Sequence, residues 1–136
     1  MELVRVLRLT QSVPYAYAAV SPDGHVFTAG ACPLDADGQV VPGGVGEQAA
    51  VVMANLATTL EAAGCSIVDV LKSTVYVASA DRADLVAAWD VVRASFGEHD
   101  APSTLIGVSV LGYAGQLVEV EAVAWRPAPV SPRVPG

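Results

Sequence analysis

Two carboxylates, Glu119 and Glu121, stand two residues apart in the apolar run Val118–Ala124. A strand sends alternate side chains to opposite faces, so both point the same way. The placement has two readings. They are solvated carboxylates on an open strand face, or partly buried ones that repel each other. Burial and repulsion raise a carboxyl pKa, and such a group can hold and activate water as a general base.

Other combinations are poorer. Gly43-Gly44-Val45-Gly46 lacks the GxGxxG spacing, the P-loop Lys-Ser/Thr and any basic neighbour, so it reads as a flexible helix entry. His99-Asp100 near Ser103 has no nucleophile elbow around it. Lys72, among apolar neighbours, suits a Schiff base or, more commonly, a rim or ion-paired lysine. Cys32 and Cys65 form no CxxC and read as inert buried thiols. His25 and His99 are far apart without a third ligand, so no metal site is expected.

The elements that must position these residues follow from periodicity. Alternation predicts strands over Leu3–Leu9, Tyr15–Val20 and His25–Gly30, the last two joined by the turn Ser21-Pro22-Asp23-Gly24. Apolar residues spaced by three and four predict a helix over Val45–Ala63, with Gly64 as its left-handed cap. The β-branched run Val70–Ser79 reads as a buried strand. Asp81 caps a second helix whose face is Leu85, Ala88, Trp89, Val92 and Phe96, ending before Gly97. Thr104–Leu111 and Leu117–Arg126 complete the strands. The order predicts a two-layer α+β sandwich, a mixed sheet with both helices on one face. Residues 1–126 form one domain, and 127–136, with four prolines, an extended or disordered tail.

Composition narrows the function. Of 136 residues, 53 % are hydrophobic and 15 % charged, which excludes intrinsic disorder. A net charge of −7 with scattered basic residues gives no footprint for nucleic acid or anionic lipid. No apolar run reaches the roughly 20 residues of a membrane span, and Met1–Thr10 lacks a secretory layout. The apolar excess therefore points to a buried subunit interface in a cytoplasmic protein.

Taken together, the segments resemble the reactive intermediate deaminase family (RidA, also called YjgF or L-PSP endoribonuclease-like). The resemblance rests on Pro14-Tyr15, on Val26–Gly30, on Glu47-Gln48 with Asn55-Leu56 and Leu60–Gly64, on Asp69–Ala78, on Asp84–Phe96, and on the closing Val118–Ala124. It implies a chorismate-mutase-like fold, a homotrimer with ligand pockets in the clefts between subunits, and cofactor-free hydrolysis of 2-imino or enamine acids. An arginine in a P-x-R-S/T motif would grip the substrate carboxylate, and a glutamate of the closing motif would position water.

Carried over by residue, the resemblance makes Glu121 the water-binding glutamate, Tyr15 the pocket tyrosine and Gly30 the glycine after the hairpin. Asp100–Thr104 aligns with the arginine motif and puts Pro102 at the arginine, with Ser103 and Thr104 beside it. Ala29 replaces a pocket serine, and Trp89 an asparagine on the second helix. A lost charged hydrogen bond costs about 1.5–3 kcal/mol, at least roughly tenfold in binding. The expected ligand is therefore a small neutral or apolar imine, enamine or related carbonyl compound, with 2-imino acid turnover weak or absent. The alternatives are a non-catalytic small-molecule-binding or chaperone-like trimer and, least supported by charge, an endoribonuclease.

Overall fold

The fold was obtained as a computed structural model, and it describes residues 1–128. Strands β1 (Glu2–Val4), β2 (Ala18–Val20), β3 (His25–Thr28), β4 (Val70–Val77), β5 (Ser103–Gly107) and β6 (Val118–Trp125) form one sheet, ordered β1-β2-β3-β6-β4-β5. Only β4 and β5 pair in parallel, which makes the sheet mixed. Helices α1 (Val45–Ala62) and α2 (Arg82–Phe96) pack side by side on one face, as the sequence predicts.

Each helix is bounded by local chemistry. The Gly44 N–H is satisfied by the Glu47 carboxylate at 2.9 Å, so a carboxylate occupies the place where a phosphate cradle would bind its anion. The Asp81 side chain accepts from the Ala83 N–H at 2.9 Å, starting α2. Past α1, Gly64 turns at φ +88°, a conformation that L side chains rarely adopt.

The core lies between the helices and the sheet. Val118, Val120, Ala122 and Ala124 of β6 face it together with Val75 and Val77 of β4, and Val52, Leu56 and Leu60 of α1 close over them. Each fully buried Val or Leu contributes roughly 1.5–3 kcal/mol.

Every strand is shorter than the sequence predicts: β2 starts at Ala18 rather than Tyr15, β3 ends at Thr28 rather than Gly30, and β4 and β6 each lose two residues at their ends. The first stops at Val4, and Leu7, apolar in the pattern, is 90 % exposed because its segment has no strand neighbour. The fifth begins at Ser103 and stops at Gly107 rather than Leu111. A Cβ at Gly107 would press on the Ser79 carbonyl, and Val110 beyond it is exposed. The predicted tail falls largely on residues 129–136, outside the described residues.

Among the described residues nothing covers the other sheet face. Cross-strand pairing arranges it in rows: Leu3, Ala19, Phe27, Val123 and Lys72 in one, Glu121, Thr74 and Thr104 in the next, then Glu119, Tyr76 and Ile106. The two glutamates do share a face, as their spacing predicts, but they belong to different rows.

Candidate functional site

The pairing of β3 with β6 builds the site. Phe27 pairs with Val123, and Ala31 pairs with Val120 in an isolated bridge. Residues 28–30 therefore span a stretch that the partner strand covers with Glu121 and Ala122 alone. The extra residue makes a β-bulge, which bends the strand and re-aims its side chains. Thr28 Oγ1 accepts the Ala122 N–H at 3.0 Å, taking the place of a ladder carbonyl.

Beyond the bulge, Gly30 lies against the Glu119 carboxyl group so closely that a Cβ would overlap it. This close approach, rather than an unusual dihedral, is what the missing Cβ allows, since a larger residue would displace the Glu119 side chain. Cys32 donates its thiol proton to Glu119 Oε1 at 3.3 Å, with the Gly30 carbonyl 3.4 Å from the same sulfur. Burial first, then the Glu119 charge, push the Cys32 thiol from 9.0 up to about 12, so it is a donor at neutral pH. Asn55 of α1 fixes this loop by donating to the Cys32 and Leu34 carbonyls at 2.9 and 3.1 Å.

Tyr15 approaches the same cluster, its hydroxyl 3.4 Å from that of Tyr113. Burial first, then the Tyr113 bond and the neighbouring Cys32 and Glu119 groups, raise its pKa, so it too stays protonated. A cavity of about 20 Å³, lined by Tyr15, Tyr17, Ala29, Gly30 and Cys32 among others, offers room for about one water.

Glu121 does different work. Its Oε1 accepts from the Tyr76 hydroxyl at 2.7 Å, a bond that raises the tyrosine's pKa ahead of burial. Glu121 also lines a separate cavity of about 180 Å³ with Phe27, Thr28, Lys72 and Thr74. Lys72 Nζ donates to Thr104 Oγ1 at 2.6 Å across the strands.

The structure thus brings Tyr15, Ala29 and Gly30 together, with Glu119 rather than Glu121 as their carboxylate. Pro102, Ser103 and Thr104 lie at the β5 edge, separated from β3 by β6 and β4. Ser103 Oγ is hydrogen-bonded to buried Ser73 and donates to the Ala101 carbonyl at 2.9 Å, so it is turned from the open face. Counted from the motif's own proline at Pro102, the arginine position of P-x-R-S/T falls on Thr104, which does reach the open face; no arginine stands at either place. Trp89 lines another cavity, of about 100 Å³, with Arg93, Phe96 and His99. His99 Nε2 pairs with the Val70 carbonyl at 2.8 Å, which gives it no part in a triad with Ser103. Among the described residues no cluster of three or more His, Cys, Asp and Glu has a metal-holding arrangement, and no helix is long and apolar enough to cross a membrane.

Sequence reasoning singled out neither Cys32 nor Tyr113, and it did not tell that Glu119 is the glutamate lying against Gly30. The signal that could have found Glu119 is Gly30 itself, a glycine outside any tight turn that makes room for a side chain.

Two helices on a mixed six-stranded sheet, with a bulge that seats a carboxylate, place the protein in the chorismate-mutase-like class of α+β folds. The sequence model of the Endoribonuclease L-PSP family matches residues 7–126, and the chain belongs to that family, the RidA/YjgF group. A 2-iminobutanoate/2-iminopropanoate deaminase of Capra hircus is 36 % identical over 127 residues, covering 90 % of each chain. A RutC family protein of Pyrococcus horikoshii is 35 % identical over 114 residues, covering 83 % of this chain and 87 % of that one. The structure of E. coli TdcF with bound serine superposes with a TM-score of 0.80 at 28 % identity, covering 93 % of this chain and all of that one.

Proposed function

We propose that the protein hydrolyses a small imine or enamine to a carbonyl compound and ammonia, with Glu119 as the base that activates water. The observation that carries this reading is the Glu119 carboxylate, seated against Gly30 and held through one oxygen by the Cys32 thiol. Its second oxygen is left for a water. That water gives a proton to Glu119 as its oxygen attacks the carbon of C=N, forming a carbinolamine. Collapse of the carbinolamine forms C=O, breaks the C–N bond and releases ammonia, the nitrogen having taken up the protons. Tyr15, kept protonated, would hydrogen-bond the departing nitrogen. General-base help of this kind supplies roughly 10²–10⁴-fold.

Deaminase relatives at about this identity support the reaction class. The substrate differs from theirs in our reading. With Thr104 where the motif carries arginine, the pocket favours a neutral or apolar imine, and 2-imino acids turn over weakly. The pocket is completed by assembly: in one chain the β5 residues and Trp89 stand apart from the Glu119 cluster, and a homotrimer with clefts between subunits would bring such groups together. A net charge of −7 argues against an RNA substrate.

The decisive comparison is turnover of a neutral imine by wild type, Glu119→Gln and Glu121→Gln. Glu119→Gln should lose at least about a hundredfold in kcat. Full activity in that variant, with activity lost in Glu121→Gln, overturns the assignment to Glu119. Turnover of imines from leucine or alanine oxidation at the rate of arginine-bearing relatives overturns the substrate class.

A further inference from the structure

The turn between β5 and β6 is held by two buried amide side chains. Gln48 of α1 and Gln116 are 2 % and 4 % exposed, and a buried amide is costly unless its donors and acceptor are bonded. Gln48 Nε2 donates to the Gly115 carbonyl at 3.0 Å and to the Val41 carbonyl at 3.3 Å, while its Oε1 accepts the Leu117 N–H at 2.8 Å. Gln116 Oε1 accepts the Tyr113 N–H at 3.2 Å, and its Nε2 donates to the Val118 carbonyl at 3.1 Å. The backbone from Tyr113 to Val118 is thus fixed from the helix layer and from β6 at once.

What this turn presents is the Tyr113 ring. It packs against Val13, Cys32 and Leu34, and its hydroxyl stands 3.4 Å from that of Tyr15. Tyr15 lies between β1 and β2, outside the ladder, and among the described residues Tyr113 is the one group that meets its hydroxyl. The contact is longer than the roughly 2.7–2.8 Å of a full O–H···O bond, as hydrogen bonds at reacting sites often are before substrate closes them.

The direction of donation decides what the pair can do. A Tyr15 hydroxyl that donates to Tyr113 has used its only proton and has none for a substrate nitrogen. A Tyr15 hydroxyl that accepts from Tyr113 keeps its proton free and donates it more strongly, since hydrogen bonds in a chain polarise one another. We infer that Tyr113 is a positioning residue for Tyr15: its hydroxyl donates to Tyr15 Oη and turns the Tyr15 proton toward the imine nitrogen. Tyr113 itself touches no reacting atom. The inference rests on the reaction proposed above and adds to it a residue, carried by the β5–β6 turn, that sets the strength of the Tyr15 bond.

The test is a double-substitution cycle on the turnover of a neutral imine by the full-length protein, with Tyr113→Phe, Tyr15→Phe and the two combined. Tyr113→Phe, which keeps the ring against Leu34, should lower kcat roughly threefold to tenfold with KM little changed, the worth of one neutral hydrogen bond. In the Tyr15→Phe background the same change should cost nothing further, because its effect passes through Tyr15. An equal loss in both backgrounds would mark a merely structural role and overturn the inference, as would an unchanged or raised kcat in Tyr113→Phe. A second readout needs no turnover. Removing the Tyr113 hydroxyl should let Tyr15 ionise at lower pH, followed by NMR of ring-labelled tyrosine, because the Tyr113 bond is among the causes that raise it. A Tyr15 titration that stays where it is in Tyr113→Phe overturns the coupling. Full turnover in Glu119→Gln would instead overturn the proposed reaction, and both tyrosine readouts then stand or fall by themselves.

Discussion

A thiol that keeps its proton at neutral pH is a hydrogen-bond donor, and Cys32 uses that proton on Glu119. The folded value of about 12 lies above the ordinary 9.0, so folding favours the protonated form. Stability from this group is intact below about pH 9 and is lost as pH rises toward about 12, because the unfolded chain releases the proton first. Cys65, pushed up to about 11 by burial and then by Asp69, adds to the same alkaline decline. Urea midpoints measured at about pH 8 and about pH 10.5 should fall for wild type and fall less for Cys32→Ala. Parallel declines in the two proteins would remove Cys32 from the account. Tyr15 and Gly30 come from the family resemblance, and the structure puts both on the wall of one small cavity. Glu119 and Glu121 are not separable in the sequence, being the same residue type at the same parity on one strand.

What separates the two glutamates is an element, the bulge at residues 28–30. No residue type announces it, since Thr28, Ala29 and Gly30 read as the plain end of a strand, and the alternation gives no sign of an extra residue. The extra residue sets which glutamate meets Gly30. Helices were easier to read, because their caps are chemical: Asp81, Gly64 and Gly97 mark ends that the structure keeps. Strand ends were harder, because β1 and β5 stop where a neighbour runs out, and a neighbour is a property of the sheet. The bulge depends on one side chain. Thr28 Oγ1 accepts the N–H of buried Ala122, and Thr28→Val keeps the shape while removing the acceptor. A buried N–H left without a partner costs about 1–3 kcal/mol. Thr28→Val should therefore lower the unfolding free energy measured in urea by about that amount, with a lower midpoint, and Thr28→Ser should restore most of it. An unchanged midpoint in Thr28→Val would mean that Ala122 finds another acceptor and that the bulge does not rest on Thr28.

On the scale of the whole molecule, the low charge of the chain acquires a location. The helices cover one face of the sheet, and the opposite face carries Leu3, Phe27, Ile106 and Trp125, each more than 40 % exposed, among few charges. Apolar residues in such rows are costly in water, at about 25 cal/mol for each Å² left uncovered. A second copy would cover like with like, and three copies around an axis would bring the β5 edge of one chain toward the Glu119 cluster of the next. In that arrangement the separation of Thr104 and Trp89 from Tyr15 within one chain ceases to be a difficulty for a shared pocket. Sedimentation at micromolar concentration should give three times the chain mass. Phe27→Glu, which adds a charge to the open face without touching the core, should give a folded species at one chain mass with its circular dichroism retained. A wild-type monomer at that concentration would leave the open face to solvent and require the pocket to function from a single chain; a trimer that survives Phe27→Glu would place the interface elsewhere.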